Sequence, residues 1–172
     1  MASLMENLIG VLNEECDAYE QLLRVSMKKT PAIVSDDLEA LSKITEEEQE
    51  IVDKISSIDR RRSEGWADIA NVLNKDVKTL KLRDLISLME KQPKEQKALS
   101  EIYDRLHNVT KEVGRVNKQN QELLESALDL VRYTMNVIQS AKSAPGNANY
   151  NGMAENAGDT LGSARSSFDA KQ

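Results

Sequence analysis

Among 172 residues there are six aromatics, three prolines, one cysteine and one histidine. Each scarcity excludes something. With so few aromatics and 30% charged residues, the chain lacks the material for a compact aromatic core, and favours long solvated helices. A single cysteine, Cys16, cannot close an intramolecular disulfide and suits a reducing compartment. The lone histidine, His107, has no second histidine or nearby cysteine with which to build a metal set, and reads as a surface or packing residue. Basic excess is missing too: the formal net charge is −6, which argues against nucleic acid or an anionic membrane as principal partner. No apolar run approaches the roughly 20 residues that span a bilayer. The opening "MASLMENLIG" has neither a basic leader nor a long apolar stretch, so no signal peptide and a cytoplasmic location are expected. Glycine-rich phosphate loops, H-E-x-x-H and G-x-S-x-G are all absent from the sequence. Binding, rather than catalysis, with no cofactor or metal, is the expected activity.

What is present is helical periodicity, divided by Pro31, Pro93 and Pro145. Proline lacks an amide hydrogen and restricts its predecessor, so a helix is expected to stop near each. The first segment, about 3–29, carries two adjacent stripes: Leu4, Leu8, Val11, Ala18, Leu22 and Val25, then Met5, Ile9, Leu12, Cys16, Tyr19 and Leu23. Such a wide face suits a helix that touches two neighbours. The second, about 36–73, begins with Asp36 and Glu39 spaced as a capping box. It then repeats Leu38, Leu41, Ile44, Ile51, Ile55, Ile58, Ile69 and Val72 as a narrow seam. Glu48 and Arg62 fall on this seam as polar interruptions that fix register. A short helix, about 79–91, is expected behind Thr79, with Leu82, Leu85, Ile86 and Met89 on its apolar side.

The longest pattern runs over about 94–142, from Leu99, Ile102 and Leu106 through Val109, Val113, Val116 and Asn120 to Leu123, Ala127, Leu130, Thr134 and Val137. A buried Asn120 would fix register; recognition of a partner by Asn117 and Asn120 is the alternative. After Lys142 the composition shifts: four of the seven glycines lie there, among serine, alanine and asparagine. Residues 143–172 bury too little apolar surface to offset their ordering entropy and are expected to form a flexible, largely disordered tail. Tyr150, Leu161 and Phe168 stand out among its sparse large apolar residues. The expected architecture is all-α: an elongated antiparallel helical bundle or coiled coil over 1–142, followed by that tail.

Several stretches resemble the FlgN-type flagellar type III export chaperones. "ITEEEQEIVDKISSIDRRRSE" (44–64) is similar to the family's central helix, with its acidic start, spaced aliphatics and arginines. "NKQNQELLESAL" (117–128) resembles an N-x-x-N-x-x-L-L stretch. "YNG" (150–152) is similar to a tail motif in which glycine follows tyrosine, with Asn151 intervening here. The resemblance implies a chaperone that binds hook-associated proteins of the FlgK and FlgL type and delivers them to the cytoplasmic domain of the export gate. It implies cargo binding by Leu123, Leu124, Leu128, Val131, Met135 and Ile138, and gate docking by Tyr150. A scaffold whose seams pair with another copy of itself, or a regulatory binding protein, would carry the same helical patterns.

Overall fold

The computed structural model describes residues 2–143. These are 89% helical and include no strand. Four helices follow one another: α1 (Ala2–Val34), α2 (Leu38–Val72), α3 (Leu82–Leu88) and α4 (Pro93–Ser143). The chain divides into two units, Met1–Arg132 and Tyr133–Gln172. The tail expected over 143–172 lies, from residue 144 onward, outside the described residues.

Within the first unit the directions of the helices follow from which side chains meet. Ser26 and Lys29 of α1 reach Glu48 of α2, whereas Glu14, nearer the start of α1, reaches Arg61, nearer the end of α2. The two helices are therefore antiparallel. Against α4 the numbers rise together: Arg105 meets Asn13, Asp17 and Glu20, and Asn120 meets Ser26 and Thr30. The long helices run up, down and up, each antiparallel to the one before it. The short α3 lies in the connection that turns α2 into α4.

Burial follows the stripes. Met5, Leu8, Leu12 and Cys16 of α1 form one cluster with Ile69, Leu85, Met89, Leu99 and Ile102, so all four helices meet there. Further along, Leu22 and Val25 pack with Ile51, Val109 and Val113. A third cluster joins Val11 and Ala18 to Ile58. Each fully buried Leu, Val or Ile side chain contributes about 1.5–3 kcal/mol before entropy is counted. The α2 seam is only partly covered: Ile51, Ile58 and Ile69 are buried, but Leu38 and Val72 at its ends are exposed.

The helix ends depart from the proline pattern. α1 does not stop before Pro31 but continues through it to Val34. Proline removes one hydrogen bond from the ladder, to Met27, on the exposed side of the helix. Carrying on for another turn buries Ala32 and Ile33. The stop comes at Asp36, whose φ of 54° is left-handed. There the amides of Asp36 and Asp37 donate to the carbonyls of Ile33 (3.2 Å) and Ala32 (3.0 Å), a Schellman closure. Asp37, rather than Asp36, caps α2, its carboxylate accepting the Ala40 amide at 2.9 Å, while Glu39 pairs with Lys43. α2 closes in the same way at Asn74 (φ 51°), with Asn74 and Lys75 amides donating to Asn71 and Ala70. Thr79 does not cap α3; Lys81 occupies that place, and the Asp84 carboxylate accepts its amide at 2.9 Å. Pro93 stands at the first position of α4, where its missing amide would have had no helical acceptor.

Candidate functional site

α4 changes character along its length. Leu99, Ile102, Val109, Val113, Val116 and Asn120 are buried, Leu123, Leu124 and Ala127 are half-buried, and every residue from Leu128 to Lys142 is exposed. The pairings of Asn120 with Ser26 and Thr30 explain the change. Only four residues of α1 follow Thr30, so α1 ends about level with the turn of α4 that carries Leu124.

A polar layer marks the boundary. The Asn120 side chain is 3% exposed. Its amide nitrogen donates to the Ser26 carbonyl at 2.9 Å, and its oxygen accepts from the Thr30 hydroxyl at 2.7 Å. The Ser26 hydroxyl in turn donates to Glu48 at 2.6 Å, and Lys29 donates to the other Glu48 oxygen at 2.7 Å. Three helices are thereby linked by one network, with the seam positions Glu48 and Asn120 as its centres. Asn117, by contrast, is exposed. The two asparagines that the sequence groups together have different surroundings: one is fixed in the network, the other faces outward. Beside the layer lies a shallow groove of about 360 Å³ bordered by Lys29, Glu48, Asn117, Leu124 and Leu128.

Beyond this layer large apolar side chains are exposed among charged and polar ones. In the first unit Leu128, Leu130 and Val131 are 54%, 64% and 58% exposed. The second unit, taken by itself, begins with the last turns of α4, where Tyr133, Met135, Val137 and Ile138 are exposed. These seven are half of the fourteen large apolar side chains exposed among the described residues, so exposed apolar surface is concentrated in one stretch of one helix. Of the six cargo residues implied by the resemblance, Leu128, Val131, Met135 and Ile138 are exposed; Leu123 and Leu124 are half-buried beside the polar layer. Tyr150 lies outside the described residues. Leu130, Tyr133 and Val137 are exposed as well, and nothing in the sequence marks Leu130 and Val137 for binding, because they continue the heptad seam that is buried earlier in the same helix. Among the described residues no group of His, Cys, Asp or Glu is placed to hold a metal ion. No described helix is long and apolar enough to cross a membrane.

The family described as FlgN protein matches residues 1–158, which takes in all four helices and continues past Tyr150. The chain belongs to the FlgN family. No curated protein and no solved structure gives a significant match. FlgN proteins are cytoplasmic chaperones of flagellum assembly, not enzymes, so membership gives this chain a general role in handling flagellar proteins for export.

Proposed function

We propose that this FlgN protein binds hook-associated subunits of the FlgK and FlgL type in the cytoplasm and delivers them to the flagellar type III export gate. One observation carries the reading: the aliphatic stretch containing Leu128 and Val131, continued along the sequence by Met135 and Ile138, is exposed at the end of a helix whose earlier turns bury an apolar face. The resemblance supplies both the cargo class and the gate-docking residue, Tyr150. An amphipathic segment of cargo laid along these side chains would withdraw several from water, each worth on the order of 1.5–3 kcal/mol gross. The net affinity is smaller, because ordering both partners opposes it.

Isothermal titration with a purified junction subunit tests the assignment. Replacing Leu128 and Val131 together with serine should weaken binding by at least about tenfold, the equivalent of 1.4 kcal/mol. Unchanged cargo affinity would place the site elsewhere. Tyr150→Ala should weaken binding to the cytoplasmic domain of the gate and leave cargo affinity intact; equal losses for both partners would refute the division of labour. The scaffold reading has one observation in its favour, since Leu124, Leu128, Val131, Met135 and Ile138 repeat at steps of four and three, as a seam between copies would. Sedimentation of the isolated protein separates the two readings: a scaffold is a stable oligomer without cargo.

A further inference from the structure

A second surface lies away from the end of α4. Between α2 and α4 runs an open trough floored by α1. It has two joined parts, of about 540 and 290 Å³, which share Arg62, Leu82 and Leu106. Its walls are mostly apolar: Ile55 from α2 and Leu106 from α4 are half-buried, and Val52 is 45% exposed. On α2 the trough extends from Val52 to Trp66, about 21 Å at 1.5 Å per residue, or nearly four helical turns.

The floor holds an incomplete polar site. Glu15 is 4% exposed, and its Oε2 has no hydrogen-bond partner. Its Oε1 lies 3.6 Å from Arg62, which also pairs with Asp59 at the rim. Two carboxylates thus face one guanidinium in the larger part of the trough, while Lys81 lines the smaller part. A buried carboxylate oxygen without a donor costs free energy that a suitable donor would recover.

We propose that this trough is a docking site for an amphipathic helix of a partner protein, about three to four turns long, with a Lys or Arg in its apolar stripe whose cation is attracted by the Glu15 and Asp59 carboxylates. The apolar stripe covers Val52, Ile55 and Leu106, and the cation balances the excess carboxylate of Glu15 and Asp59 against Arg62. None of the residues that line it belongs to the cargo set proposed on α4.

The test uses the full chain with its Ile, Leu and Val methyl groups labelled, titrated with a synthetic amphipathic peptide of 14 residues. One version carries a single Lys in the middle of its leucine stripe; the control carries norleucine there. The expected result is saturable shifts at Val52, Ile55 and Leu106. Affinity should fall about tenfold or more for the norleucine peptide, and similarly for Glu15→Gln in the protein. Asp59→Asn, a rim substitution at an exposed position, should weaken binding less and leave the fold untouched. Shifts confined to Leu128, Val131 and Ile138, or equal affinity for the two peptides, would overturn the proposal. So would movement of the trough methyls on dilution without peptide, which would make a second copy of the chain the occupant.

Discussion

Asn120 is the last fully buried side chain of α4 among the described residues, and it ties that helix to α1 through Ser26 and Thr30. Asn120→Ala would leave a carbonyl and a hydroxyl without their partner in a buried layer. The expected loss is about 1–3 kcal/mol of unfolding free energy, read from a urea titration. A change below about 0.5 kcal/mol would show that water takes over both bonds. Glu15 behaves differently. Burial lifts its carboxyl above the ordinary value, with Arg62 opposing the shift and Asp59 adding to it. Because its folded-state pKa is raised, the folded chain holds the proton more tightly than the unfolded one. That contribution is fully present below the unfolded pKa and is lost as pH rises through the folded one. Glu15→Gln should therefore be more stable than the parent at neutral pH, and the gap should narrow as the pH is lowered through the carboxylate range. Thermal unfolding of both proteins across that range measures it; a gap independent of pH would mean that the ionised group is not penalised. Next to it, burial pushes the Cys16 thiol up to about 11, and its Sγ lies 3.9 Å from the Ile102 carbonyl. At neutral pH iodoacetamide should label Cys16 only through opening of the α1–α4 interface, so the labelling rate should track denaturant.

At the scale of helices, the positions that pack were legible and the positions where helices end were less so. Leu8, Leu12, Cys16, Leu22 and Val25 alternate on two stripes in the sequence, and all are buried, because a wide apolar face has one low-energy disposition between two neighbours. The terminus of α1 could not be read from Pro31. A missing amide costs one hydrogen bond, and tertiary burial of Ala32 and Ile33 acts against that cost. Nor does aspartate announce a left-handed closure as glycine would; Asp36 looks like an N-cap and serves as the residue that ends the preceding helix. The trough was equally hidden, since Glu15 lies in an ordinary acidic pair and only the folded chain places it on the lining of a cavity. The closure has a measurable consequence. Asp36 adopts φ 54°, a region that costs a residue with a Cβ roughly 1–2 kcal/mol relative to the right-handed form. Glycine has no such penalty, so Asp36→Gly should stabilise the protein by up to about 1 kcal/mol, offset in part by the greater freedom of glycine in the unfolded chain. A loss of stability on this exchange would assign Asp36 a side-chain role beyond its backbone angle.

For the whole molecule, the decisive contrast is between surface that holds the fold together and surface that is exposed on it. The clusters from Met5 to Val113 and the polar layer at Asn120 hold most of the buried side chains, and no described residue after Asn120 is fully buried. Deleting residues 128–172 should therefore leave the urea midpoint of the remaining chain nearly unchanged, within the roughly 0.5 kcal/mol typical of surface changes. The same deletion removes Leu128, Val131, Met135, Ile138 and Tyr150, and should abolish binding both of junction subunits and of the gate domain. Binding of the lysine-bearing peptide in the α2–α4 trough should survive, because Glu15, Ile55 and Leu106 all remain. Loss of stability on truncation would mean that the end of α4 belongs to the fold rather than to a partner. Retained cargo affinity in a stable truncated protein would instead shift recognition to the packed part of the bundle, with the trough as the first place to look.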